Sequence, residues 1–358
     1  MAINRVETND FLVFKGEFAT DFCPGVNVLI GGNGTGKTTL LKQMYMACEF
    51  SKKIQFQKAP VQDEIVKGKA KLSDIPDSML LVHIDSYFQH IKGENGMHGG
   101  NSIVGENKGV YLRWTSDNLT LYHTIDTEDN VKRTEVFGIA DRTDSIFIPA
   151  NEMLSHSKGF LSMYHDREMP FDKTYADILS KAGLPITRNV TPIASRVIDT
   201  IKNVIRGEVV YENDIFYVLK EDGRKTPFSL EASGYRRFGL LWRLLRNGLL
   251  ETGTILFWDE PENSLSPDLF SVLVDILLDL SRNGVQIFIA THSEILASYF
   301  AVNREKGDIV MFTSLYKEGE QIKANTSDRF DLLEPNKLTA EVVNLYEKEI
   351  VKGLGGNV

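Results

Sequence analysis

The run Gly31-Gly32-Asn33-Gly34-Thr35-Gly36-Lys37-Thr38, followed by Thr39, matches the pattern G-x-x-x-x-G-K-[ST] in full. Glycines at these spacings let the backbone curl into a concave nest whose N–H groups face an anion. The N-terminus of a helix opening just after the loop adds to that field. Lys37 would then stand as a point charge between the outer phosphates of a nucleotide. The Thr38 hydroxyl would hold Mg²⁺, with Thr39 on the inner phosphate side.

Two other stretches end in groups that complete such chemistry. Ile255-Leu-Phe-Trp-Asp259-Glu260 is an apolar run closed by two acids. Asp259 is suited to bind Mg²⁺, directly or through water, and Glu260 to polarise an attacking water as general base. Val285-Gln-Ile-Phe-Ile-Ala290-Thr-His292-Ser293 is a second buried run, ending in a histidine. Parallel strands of one sheet would deliver both ends to the same carboxyl edge, where open α/β sheets place ligands. There His292 would sense the terminal phosphate. The remaining histidines show no H-x-x-x-H spacing, so no transition-metal site is expected.

These groups need strands and helices to hold them. Residues 1–50 read as strand, turn, strand, loop, helix, with Val26-Asn-Val-Leu-Ile30 running into the glycine loop. Leu40, Leu41, Met44 and Tyr45 then recur at helical spacing. Further strands are expected over 80–84, 110–114, 119–125, 145–149, 254–258, 285–290 and 309–312. Helices are expected over 172–182, 191–206, 236–249 and 267–282, and from Asn336 to Val351. A hairpin over 208–219 should turn at Asn213-Asp214. Between residues 93 and 109 the glycines fit no phosphate motif and read as a mobile surface loop.

Composition narrows the field. The chain has 358 residues, 42% hydrophobic and 25% charged, which is a globular protein of one large or two ordinary domains. Its 49 acidic residues outnumber 40 basic ones, giving a net charge of −9, so a surface that clings everywhere to nucleic acid is excluded. A local basic groove near Arg188, Arg196, Lys202 and Arg206 is still open, as is a plain solvated face. Two cysteines, Cys23 and Cys48, are too few for a disulfide framework. With no apolar leader and no long uncharged apolar stretch, a cytoplasmic protein without a membrane span is expected.

Together the phosphate loop, Asp259-Glu260-Pro261-Glu262 and Thr291-His292-Ser293 resemble the ABC-type ATPases, specifically the soluble branch of SMC, RecF and OLD-type proteins. Phe18 to Leu41 is similar to that branch's opening, and the resemblance covers roughly residues 1–50 and 225–300. It implies an α/β fold, a P-loop ABC-type ATPase head with a RecA-like parallel core sheet, an antiparallel β lobe and a short helical insertion lobe. The implied division is 1–150, 151–207 and 208–358. ATP and Mg²⁺ are the implied cofactors, and a homodimer or higher even oligomer closing head to tail on ATP is the implied assembly.

In that family a signature segment opens a helix before the acidic strand. Ser229-Leu-Glu-Ala-Ser233-Gly234-Tyr-Arg-Arg237 stands there, with Ser233 and Gly234 implied at the neighbour's terminal phosphate. It departs from the transporter form, with Ala232 for serine and Tyr235 for glutamine. Arg236 and Arg237 read as phosphate contacts across the dimer or as surface charges. Asn151 or Glu152 stands where a metal-sensing glutamine is usual. Phe11 or Phe14 could stack on the base or pack in the core. Phe147 to Ser155, with Lys158-Gly159, resembles stand-alone AAA-type ATPases of bacterial abortive-infection and OLD-like defence systems.

The chain between Glu152 and Ser233 is too short for SMC arms, and too little follows His292 for a fused OLD-type nuclease. The resemblance therefore implies a switch acting on a separate effector, a nuclease or toxin, in anti-phage defence. The alternative is a RecF-like repair ATPase that clamps DNA on binding ATP. A small-molecule kinase is disfavoured by the Asp-Glu-Pro-Glu and Thr-His-Ser pair.

Overall fold

The structure is a computed structural model. It describes residues 2–56, 86–87, 110–116, 119–125, 132–138, 144–166, 169–188 and 190–354. The strand expected over 80–84 and the glycine-rich loop lie outside these residues.

A hairpin opens the chain, β1 (Ile3–Phe11) and β2 (Phe14–Asp21), where the sequence reading had one strand fewer before the loop. It joins β4 (Val110–Ser116), β5 (Leu119–Ile125) and β6 (Lys132–Gly138) in an antiparallel sheet of order β2-β1-β4-β5-β6. The second sheet carries the site. Its order is β14-β13-β3-β12-β11-β7, built from β3 (Val26–Gly31), β7 (Ser145–Ile148), β11 (Ile255–Asp259), β12 (Gln286–Thr291), β13 (Val310–Glu318) and β14 (Gln321–Ser327). All neighbours are parallel except the edge pair β13–β14.

Every residue of β3, β7, β11 and β12 is buried, as a parallel sheet covered on both faces requires. Alternate side chains feed two cores. Leu29, Phe257 and Phe288 face α1 (Lys37–Phe56), meeting Leu40, Leu41, Met44 and Tyr45. Val28, Trp258 and Ile289 face the opposite way, into a larger core. That core is roofed by α4 (Pro192–Ile205), α5 (Ser233–Arg246) and α6 (Phe270–Arg282). Each fully buried large apolar side chain contributes about 2–3 kcal/mol, so these two faces hold the sheet edge rigid.

Short elements fall where their caps place them. The helix α2 (Phe160–Asp166) was not legible in the sequence, while α3 (Lys173–Gly183) starts where Asp172 accepts from the Thr174 amide. Thr191 caps α4, which ends at Arg206 in the left-handed region. The strands β8 (Gly207–Glu212) and β9 (Ile215–Lys220) turn at Asn213 and Asp214, both with positive φ, as a tight primed turn demands. With β10 (Lys225–Pro227) they form a three-stranded sheet. The helix α7 (Glu294–Asn303) follows β12, and α8 (Lys337–Gly353) follows its cap, Asn336. Cys23 and Cys48 are buried and form no disulfide. Among the described residues no helix is long and apolar enough to cross a membrane.

Candidate active site

Strands β3, β12 and β11 lie side by side in that order, so their carboxyl ends meet. Ile30 pairs with Thr291, and Ala290 with Asp259. The glycine loop, the histidine and the acidic pair, far apart in sequence, thus share one edge. Gly31 and Gly36 have positive φ, and a Cβ on either would collide with a neighbour: Leu315 O at 2.3 Å for Gly31, the Phe14 ring at 2.7 Å for Gly36. The loop is therefore pressed between β13 and the β1–β2 turn, and side chains there would push it open.

Within this edge the Thr38 hydroxyl hydrogen-bonds the Asp259 carboxylate, at 3.0 Å and 2.9 Å from its two oxygens. Lys37 Nζ donates to Gly31 O at 2.8 Å and to Gly32 O at 3.1 Å. It also stands 3.5 Å from His292 Nδ1, and His292 Nε2 is 3.4 Å from Glu260 Oε1. A lysine donating to Nδ1 leaves the imidazole proton on Nε2, pointing at Glu260. Burial, with the Lys37 charge beside it, lowers the His292 pKa and supports that neutral tautomer. Glu260 itself sits at φ 47°, in the left-handed region rare for a non-glycine residue.

Desolvation dominates the charges here. Burial pushes Lys37 down to about 8, against the pull of Asp259, Glu260 and Glu262. Burial, reinforced by Glu260 and opposed by the Thr38 hydrogen bond, raises Asp259 to about 6. A dehydrated carboxylate beside a hydroxyl is a hard oxygen donor set, which fits Mg²⁺. Among the described residues no cluster of three or more ligating side chains occurs. Thr38 and Asp259 would hold the Mg²⁺. The remaining loop residues Gly32, Asn33, Gly34, Thr35 and Thr39 surround the same nest.

Glu262 was missed as a positioning residue. Its Oε1 accepts from Thr291 Oγ1 at 2.6 Å and from the His292 amide at 2.8 Å, fixing the histidine's backbone. The signal was its place in Asp-Glu-Pro-Glu. Ser233 opens α5 after Ala232, whose side chain supplies no cap, and its hydroxyl donates to Ser264 O at 3.1 Å. Gly234 is buried with Leu265 against it; an added Cβ would come within 3.0 Å.

One sequence reading needs correction. Arg237 is neither a surface charge nor free for a neighbour's phosphate. It is 5% exposed and donates to Ala150 O, at the end of β7, and to Asn263 O at 3.1 Å. Arg236 pairs with Glu152 at 3.0 Å. That contact and the Ser155 amide engage both Glu152 oxygens. Asn151 is exposed, with Nδ2 3.3 Å from the Tyr175 hydroxyl. Phe11 and Phe14 are buried core residues.

A phosphate-type nest with a base, a histidine and an acid at the carboxyl edge of a mostly parallel sheet defines a P-loop nucleotide site. Residues 110–298, more than half of the chain, match the family described as "AAA domain, putative AbiEii toxin, Type IV TA system", and the chain belongs to that family. No curated protein sequence matches it. Among solved structures it is similar to an SMC head bound to the C-winged helix domain of ScpA, with 9% identity and TM-score 0.51 over 91% of this chain and 98% of that one. It is also similar to the SMC head domain from Thermotoga maritima (12%, TM-score 0.49, 91% and 99%). A third is an Smc head from Pyrococcus furiosus with an extended coiled coil, bound to the C-terminal domain of ScpA (9%, TM-score 0.48, 97% and 99%). The fold is that of an SMC-type ATPase head.

Proposed function

We propose that this chain is an ATP-binding and ATP-hydrolysing switch that dimerises head to tail on Mg-ATP and controls a separate effector in anti-phage defence. One observation carries the catalytic part: the Lys37–His292–Glu260 contacts and the Thr38–Asp259 contact meet at one sheet edge. Lys37 and the loop amides bind the phosphates. Bound Mg²⁺ would neutralise charge developing on the transferred phosphoryl group. Glu260 accepts a proton from the attacking water, and the Nε2–H of His292 orients the Glu260 carboxylate. Ser233 and Gly234 of each subunit would close the other subunit's site. The defence role rests on the family membership, whose description names a toxin system.

The test is Glu260→Gln with ATP and Mg²⁺, followed by light scattering and phosphate release. A stable dimer with hydrolysis cut by about 100-fold or more is expected. Hydrolysis at the wild-type rate removes Glu260 from the mechanism. Salt-titrated DNA binding with and without ATP tests the clamp alternative. Lys202, in the basic stretch that reading needs, is already paired with Glu208 at 2.8 Å.

A further inference from the structure

Helix α8 has no buried residue. Yet Thr339, Val343, Tyr346 and Ile350 recur at four- and three-residue spacing, the pattern of a helix face made to be covered. Tyr346 is 60% exposed and Ile350 62%. Beside this face runs a groove of about 1070 Å³, between α8 and the segment leading into it. Phe330, Leu333 and Val343 supply its apolar lining. Glu294, Asp331, Glu334 and Glu347 line it too, against one cation, Lys337. Asp331 is paired with Arg329, while Glu334 and Glu347 have no ion pair among the described residues. The Thr339 hydroxyl, also in the lining, is buried without a hydrogen-bond partner.

We infer that this groove docks a partner protein through a basic amphipathic segment, with apolar side chains on the α8 face and Lys or Arg against the acidic rim. Charge complementarity selects the occupant. Apolar contact supplies affinity that does not distinguish partners, whereas uncompensated rim carboxylates reject an acidic segment and accelerate encounter with a basic one. In the effector reading proposed above, this is where the effector docks, and the inference rests on that reading for the partner's role only. One residue of α7 also lines the groove: Glu294, its first residue, two after His292.

A fluorescent model helix of leucine and lysine, and its leucine–glutamate counterpart, titrated against the full chain without nucleotide test the surface. The basic helix is expected to bind about tenfold or more tightly than the acidic one, and to weaken between about 50 mM and about 500 mM salt. Val343→Asp, at a half-exposed position, should cut binding about tenfold. The double change Glu334→Lys and Glu347→Lys, both on the surface, should reverse the preference. Equal binding of the two helices, or an unchanged preference in the double variant, overturns the inference. So does a nucleotide-free dimer that Val343→Asp converts to monomer, which gives the face to a second copy. Phosphate release measured on the same variants should stay at the wild-type rate. Failure of the docking surface is thereby separated from failure of the ATPase reading.

Discussion

Helix α1 touches two carboxylates, one buried and one partly buried, and they have opposite fates. At its first turn Thr38 meets Asp259, whose pKa burial raises to about 6. Three turns on, its own Glu49 is partly buried, yet Lys181 and Lys52 overcome the desolvation and hold its pKa down at about 2. Glu49 Oε1 accepts from Lys52 Nζ at 2.9 Å, from Ser145 Oγ at 2.8 Å and from Lys181 Nζ at 3.5 Å. Lys181 also donates to Ser145 O and to Tyr45 Oη, each at 2.8 Å. One cluster is internally satisfied and joins α1, α3 and β7. The other keeps a charge in low dielectric with a hydroxyl for company. Folding alone gains nothing from that second arrangement; a cation bound with a nucleotide would.

The sharpest way to break this comparison is to neutralise each carboxylate. Asp259→Asn should cut ATP hydrolysis by about 100-fold or more, about 3 kcal/mol of barrier, measured by steady-state phosphate release. The same change should leave stability intact or raise it by about 2 kcal/mol in urea titration, because a dehydrated charge is removed. Glu49→Gln should do the reverse. It leaves Lys181 buried with little compensation and should cost about 3 kcal/mol of stability, with hydrolysis per folded molecule unchanged. If both variants lose the same stability, Asp259 is structural and the contrast fails.

The two carboxylates also divide the pH scale. Asp259 has a native pKa raised above its unfolded value, so the folded state binds the extra proton. Its contribution to stability is present below about pH 4 and declines as pH rises through about 6. Its metal affinity runs the other way, so Mg²⁺-dependent nucleotide binding should fall about tenfold per pH unit below about 6. Glu49 has a lowered native pKa. Its stabilisation is present above about 4.5 and is lost as pH falls toward about 2. Calorimetry should therefore show nucleotide binding failing at a pH where the fold is still intact. Coincident loss of both would merge the two regions into one.

The sequence disclosed these regions unequally, for a physical reason. Phosphate chemistry is written locally: the nest needs glycines at fixed spacing, and the acid and histidine each close a mostly apolar, fully buried strand, so Lys37, Asp259 and His292 could be picked out one at a time. The Glu49 cluster has no such grammar. Its members come from three elements, with Glu49 and Lys181 132 positions apart, and only the packing of α3 against α1 creates it. Arg237 was misread for a related cause. Next to a surface signature an arginine looks like a phosphate ligand, and nothing local shows that Ala150 O and Asn263 O converge on it. β14 escaped because Gln321–Ser327 is a polar edge strand with a single buried side chain.

The smallest expected effect sharpens the structural side of the contrast. Thr191 caps α4 by accepting from the Ala194 amide at 3.2 Å, and Pro192 follows at the first helical position. Thr191→Ala removes one cap hydrogen bond and should cost about 1 kcal/mol, a melting shift of a few degrees. α4 packs into the larger core, away from α1, so neither carboxylate should notice. Hydrolysis rate, its pH profile and the acid limit of folding should all match the wild type. A change in the hydrolysis profile would mean that the helices roofing that core set the geometry of the phosphate edge. Asp259's raised pKa would then report the placement of those helices as well as its own burial.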